Sequence, residues 1–113
     1  MITLWHNPRC SKSRQALALI EEAGVDVSLR HYLEDAPTRD EIIAARDVLG
    51  LRTIEMMRTG EKVFKEMGLT KDSPEETLID AMAAHPILIE RPIAFGQSGA
   101  VIGRPPEAVQ RLL

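Results

Sequence analysis

Between residues 11 and 24 apolar side chains recur every three or four positions. Ala16, Leu17, Leu19, Ile20 and Ala23 form one stripe and Gly24 follows it, which predicts an amphipathic helix stopped by a residue that tolerates left-handed backbone. The period changes on either side. Ile2 to His6 carries strand-favouring Ile, Thr and Trp and stops at the turn pair Asn7-Pro8, while Val25, Val27 and Leu29 alternate with polar neighbours as far as Tyr32. A helix that crosses between two strands makes them parallel. The chain therefore opens with a βαβ unit, and Cys10 lies at its first strand-to-helix junction.

The middle third reads as helical. Thr38-Arg39-Asp40-Glu41 has the form of a capping box, in which the hydroxyl and the carboxylate each satisfy an orphan amide, and its helix runs to Gly50. Thr53 to Arg58 and Glu61 to Met67 predict two short helical pieces broken at Thr59-Gly60. A second capping box, Ser73-Pro74-Glu75-Glu76, opens a helix to about His85. Met56, Met57, Met67 and Met82 on these segments are expected to pack in the core, and Trp5 on the first strand to be core or groove wall. After Pro86, Ile87-Leu88-Ile89 predicts a short buried strand. Ile93 to Phe95 and Ala100 to Gly103 flank Gly96-Gln97-Ser98-Gly99 as a hairpin, and Arg104-Pro105-Pro106-Glu107 leads into a last turn or two ending at Leu113. The order βαβ, helices, ββα predicts an α/β fold: a sheet of four to five strands with flanking helices, one domain over 1–113 with a helical insertion over about 38–85.

The 113 residues suit a single domain, and 44% hydrophobic with 27% charged content is ordinary for a globular chain. A net charge of -3 provides no overall field for a polyanion, so no nucleic acid is expected as a partner. No stretch has the length and apolarity of a membrane span or a signal peptide, so no membrane association is expected. With Cys10 as the single cysteine no internal disulfide can form, and a reducing cytoplasmic location is expected. His31 and His85 have no partners at zinc spacing; both read as structural, and no metal is expected.

The chemistry concentrates on Cys10. The amides of Ser11, Lys12 and Ser13 begin a helix, whose partial positive charge favours a thiolate, and Arg9, Lys12 and Arg14 add cations nearby. The same three amides can hold an anion, and Ser11 and Ser13 serve equally as helix caps or as donors to it. Cys10-Ser11-Lys12-Ser13 keeps the spacing of a C-x-x-C motif with serine in the second place, so an oxidised Cys10 must be rescued by an outside thiol. His6 precedes Cys10 by four residues. A strand-end histidine with one structural hydrogen bond and a base beside the thiol both fit it. Arg58, Arg91 and Arg104 each stand beside a turn, and the last two precede Pro92 and Pro105, where cis bonds are accessible. A guanidinium fork suits a tetrahedral oxyanion, although spacing alone does not bring the three together.

HNPRCSKSR at 6–14, HYLEDAPTRDE at 31–41, LRTIEMMRTGE at 51–61, HPILIERPI at 85–93 and VIGRPPE at 101–107 closely resemble the glutaredoxin-coupled arsenate reductases, in order and over nearly the whole chain. The resemblance implies a thioredoxin-like fold. It implies that Cys10 is the nucleophile toward arsenate and that Arg58, Arg91 and Arg104 hold the oxyanion. His6 then lies beside the active cysteine, Ser13 helps to keep the thiolate, and Pro92 is the cis-proline facing the thiol. The implied reaction takes arsenate to arsenite through a Cys10 adduct, with glutathione as co-substrate, glutaredoxin as partner and no bound cofactor. The chain departs from the resembled enzymes at Arg9, where the best-established of them carry a small residue, so a pocket mouth that is more crowded or more basic is expected here.

Two other readings use the same residues. A glutathione-dependent thiol transferase would need Cys10 without the arginines. An Spx-like regulator that binds RNA polymerase would share the fold, but its redox-switching members carry C-x-x-C where this chain has C-x-x-S.

Overall fold

The computed structural model describes residues 1–113, which pack as two compact units: Met1–Asp35 with Arg91–Leu113, and Ala36–Glu90. The first unit contains every strand of the sheet. β1 (Ile2–Trp5) leads through Asn7–Cys10 into α1 (Ser11–Glu22) and back to β2 (Val27–Arg30), and the chain re-enters this unit for β3 (Ile93–Gly96) and β4 (Gly99–Ile102). The sheet has four strands in the order β2-β1-β3-β4. β1 lies parallel to β2 and antiparallel to β3, and β3 and β4 form the hairpin expected around Gln97-Ser98. This mixed sheet with flanking helices is the thioredoxin-like arrangement.

Alternation along β1 sets the core. Ile2 and Leu4 point to one face and meet Ala16 and Ile20 of α1, Ala94 of β3 and Val109 of the C-terminal 3-10 segment Pro106–Leu112, all of them buried. At about 1.5–3 kcal/mol for each large aliphatic side chain fully removed from water, this cluster is the main support of the unit. On the opposite face Trp5 stacks at a tilt on Phe95, ring centroids 5.0 Å apart, and the Arg30 guanidinium sits 5.8 Å from the Trp5 ring. Gly24, at φ 72°, stops the chain just beyond α1 in the left-handed region that glycine adopts without strain.

The second unit is helical: α2 (Arg39–Leu49), a 3-10 turn Thr53–Met56, α3 (Lys62–Glu66), α4 (Glu75–Ala84) and a second 3-10 turn Pro86–Leu88. Thr38 accepts the Glu41 amide, Glu41 accepts the Thr38 amide, and Gly50 closes α2 in the left-handed conformation, so the first capping box forms as expected. α2 and α4 pack together. Ile42, Ala45, Leu78, Ile79 and Met82 are buried, while Arg39 pairs with Glu76 and Asp80 and Arg46 with Glu75.

Four expectations need correction. The second capping box is absent because the Ser73 hydroxyl accepts the Thr70 amide at 2.9 Å, which leaves α4 to begin behind Pro74 without a side-chain cap. Ile87-Leu88-Ile89 is not a strand. Pro86 starts a 3-10 turn, Ile87 stays 41% exposed, and only Ile89 makes an isolated bridge, to Met57. The two short helices are shorter than expected, Thr53–Met56 and Lys62–Glu66. Met67 is 42% exposed, unlike the buried Met56, Met57 and Met82, and stands as the C-cap of the short α3.

Candidate active site

Strand register assembles the site at the end of β1. The parallel pairing that sets Trp5 beside Arg30 continues one step further, since the His6 amide donates to the Arg30 carbonyl at 2.8 Å, and so His6 faces His31. Their rings meet edge to face at 5.8 Å. In the hairpin, one step beyond Ile93↔Ile102 sets Pro92 opposite Gly103, whose amide donates to the Pro92 carbonyl at 2.8 Å. A second step sets Arg91 opposite Arg104, and the Arg104 Nε donates to the Arg91 carbonyl at 2.9 Å. Both X-Pro bonds here, Arg91-Pro92 and Arg104-Pro105, are cis. Gly103 has to be small: a Cβ there would lie 2.7 Å from Pro92 Cγ, and the ring cannot swing away as a flexible side chain can.

Asn7 fixes the turn that presents the cysteine. Its carbonyl accepts the Cys10 amide, its Oδ1 accepts the Arg9 amide, and its own amide donates to the Ser13 hydroxyl, each at 3.0 Å. Ser13, fully buried, also bonds His6 Nδ1 at 2.6 Å. Ser13 thus ties the start of α1 to the end of β1, and its hydroxyl is no helix cap. Burial first of all, then His31 and Arg14, lowers the His6 pKa below the ordinary histidine value and so favours the neutral ring.

Cys10 occupies the N-cap position of α1 in extended backbone conformation and is partly exposed. Burial alone would raise its pKa. The Ser13 amide, the Arg91 guanidinium and the Lys12 amide all hydrogen-bond the sulfur, and together they outweigh burial and hold the thiol below its ordinary value. Lys12 acts here through its backbone, and Ser11 and Lys12 have exposed side chains. Arg104 Nη2 stands 4.0 Å from Cys10 Sγ. Burial would lower the Arg91 pKa, but its bonds to Cys10 and Tyr32 raise it, so this cation remains charged against the sulfur. Two guanidinium groups and two helix-start amides therefore converge on one sulfur, each favouring its ionised form. Such a group can attack an electrophilic centre while the cations neutralise an arriving oxyanion.

Arg58 belongs to the helical unit. The Met57↔Ile89 bridge, flanked by Arg58 N–H to the Leu88 carbonyl at 2.7 Å and Glu90 N–H to the Met56 carbonyl at 2.8 Å, sets Arg58 beside Glu90. Its Nη1 reaches Glu90 Oε1 at 3.2 Å and its Nε reaches Glu61 Oε1 at 3.8 Å. Sequence reasoning overlooked Asn7 and Tyr32 and gave His31 no part in the site. The parallel register of β1 and β2 was the signal that could have found His31, since the His6 amide carries it one step beyond Trp5 and Arg30.

The sequence pattern of the ArsC family matches residues 5–112. The arsenate reductase of Escherichia coli (strain K12) is 39% identical over 113 residues, covering 99% of this chain and 80% of that protein. A second protein of the same strain, uncharacterized protein YfgD, is 43% identical over 117 residues, covering 99% and 96%. Among solved structures, an arsenate reductase from Vibrio cholerae superposes with a TM-score of 0.95 at 42% identity, covering 99% of this chain and 97% of that one. No helix is long and apolar enough to cross a membrane.

Proposed function

The chain belongs to the ArsC family, and from that premise we propose that it reduces arsenate to arsenite through Cys10, with electrons from glutathione and glutaredoxin. The observation that carries this reading is the convergence of Arg91 and Arg104 on the Cys10 sulfur. A simple thiol transferase has no need of two cations at its nucleophile, whereas a reaction that brings an anion to a thiolate must offset the repulsion of like charges.

In the proposed sequence the Cys10 thiolate attacks protonated arsenate. An S–As bond forms, an As–O bond breaks, and the oxygen leaves as water after taking up a proton. Glutathione replaces a second hydroxyl on arsenic(V), again releasing water. A glutaredoxin thiolate then attacks the glutathione sulfur, and the mixed disulfide departs while the electron pair of the As–S bond stays on arsenic, which becomes arsenic(III). Hydrolysis of the remaining S–As bond releases arsenite and restores the Cys10 thiol. A second glutathione discharges the glutaredoxin. Because the chain has one cysteine, all reducing equivalents come from outside it. His6, Ser13 and the Asn7 turn position the thiolate, and Pro92 fixes the backbone that carries Arg91.

The test is arsenate-dependent NADPH oxidation in a coupled mixture of glutathione, glutathione reductase and a panel of glutaredoxins. Saturable turnover is expected, abolished in Cys10→Ser and reduced about 10²–10³-fold in kcat/KM in Arg91→Ala, the scale seen when one oxyanion donor is removed. No turnover with any glutaredoxin, in a protein whose Cys10 alkylates readily at neutral pH, overturns the reductase and leaves the thiol transferase. A polymerase subunit retained by the purified protein would favour the regulator.

A further inference from the structure

A cleft of about 190 Å³ opens beside the Asn7–Arg9 turn, lined by His6, Asn7, Arg9, His31, Leu33 and Glu34. It lies wholly within the sheet-bearing unit. The turn that forms one wall is the segment whose next residue is the reactive cysteine, and it is pinned by the three hydrogen bonds of Asn7. Two lining residues carry opposite charge and neither is used by the fold. The side chains of Arg9 and Glu34 have no ion pair or hydrogen bond within the protein, with each other or with any neighbour. Leu33, 42% exposed, adds an apolar surface to the same lining.

This combination selects a ligand class. An oxyanion such as arsenate would gain Arg9 but be repelled by Glu34, and an apolar ligand would desolvate both charges with nothing in return. A zwitterion with an aliphatic body satisfies both, its carboxylate on the Arg9 fork and its ammonium on Glu34. The volume is below the roughly 300–1,000 Å³ of a site that encloses a drug-sized molecule, so the cleft holds one end of such a ligand and leaves the rest to extend toward the sulfur. We propose that this cleft seats the α-amino-acid end of the small thiol that discharges the Cys10 adduct, the γ-glutamyl group in the case of glutathione. The assignment rests on the reductase reading for its purpose, but its binding step does not require arsenate.

The experiment uses the isotopically labelled full chain and S-methylglutathione, which cannot react. Saturable amide shifts are expected at Asn7–Arg9 and His31–Glu34, with binding weakened about tenfold in Arg9→Ala and in Glu34→Gln, the scale of one charge-assisted hydrogen bond. N-acetyl-S-methylcysteinylglycine, which lacks the γ-glutamyl group and carries no ammonium, is expected to leave these amides unmoved. Shifts confined to other segments, or equal binding by both variants, overturn the proposal. Binding in the cleft without arsenate turnover would remove the reductase reading and keep this site. Full turnover with an unchanged KM for glutathione in both variants would remove this site and keep the reductase.

Discussion

In the sheet-bearing unit Arg91 and Arg104 turn toward a sulfur, while in the helical unit Arg58 turns toward the carboxylates of Glu61 and Glu90. The supports differ as much as the partners. Arg91 and Arg104 are aimed by backbone: hairpin register sets them opposite each other, Gly103 lets the strands close on Pro92, and a carbonyl takes one Arg104 donor. Arg58 has a backbone anchor in the Met57↔Ile89 bridge, but its guanidinium is held by ion pairs. Register is insensitive to salt and to side-chain entropy, whereas partly exposed ion pairs weaken with both. A charge that must meet a nucleophile at fixed distance is better placed by a ladder than by a counter-ion.

The largest effect expected from breaking this contrast comes from Arg91→Ala. Beyond its loss of turnover, it should move the pH profile of Cys10 alkylation by iodoacetamide to more alkaline values, because it removes a hydrogen bond and a positive charge that favour the thiolate. An unchanged profile would show that the helix-start amides and Arg104 lower the Cys10 pKa without Arg91.

Gly103→Ala comes next. The added methyl meets the Pro92 ring, and the two strand ends must part, at a cost of about 1–3 kcal/mol typical of overpacking. Chemical denaturation would measure it, and the alkylation profile should move in the same direction as in Arg91→Ala if register is what aims the guanidinium.

A smaller effect follows from His6. Its folded pKa is lowered, so the unfolded chain binds its proton more readily and stability rises with pH across this range. The contribution of neutral His6 is therefore complete above the unfolded histidine value and is lost as pH falls through it toward the folded one. Melting temperatures followed from neutral to mildly acidic pH should decline, and more steeply than in His6→Gln.

The smallest effect is expected at Arg39, whose pairs with Glu76 and Asp80 lie on the surface of the helical unit. Arg39→Ala should cost about 1 kcal/mol or less, and the cost should fall with added salt. A loss of several kcal/mol would mean that the packing of α2 and α4 depends on that pairing more than on Ile42, Leu78 and Met82.

Much of this was legible in the order of residues, where the signal was local. The stripe from Ala16 to Ala23 specified α1, Thr38 with Glu41 specified the capping box of α2, and Cys10 ahead of the helix-start amides specified a thiol whose pKa is lowered. Local signals failed where a competing local bond existed, as at Ser73, whose hydroxyl went to Thr70, and at Pro86, which started a 3-10 turn where Ile87-Leu88-Ile89 resembled a strand. The hairpin around Gln97-Ser98 contained more than was taken from it, since its register already implies that Arg91 and Arg104 stand opposite each other.

The amino-acid sequence by itself determined the α/β layout, the single thiol and the cations available to it, because periodicity, capping and helix-terminal charge act over a few residues. Only the tertiary structure decided which of these residues meet. Pairing β1 with β2 joined His6 to His31, pairing β3 with β4 joined Arg91 to Arg104, and the Asn7 turn delivered Cys10 to Arg91. Such contacts depend on strands distant in sequence finding a register, and that choice is made by the burial of Ile2, Leu4, Ala94 and Val109 in one core, which no short stretch of chain encodes alone.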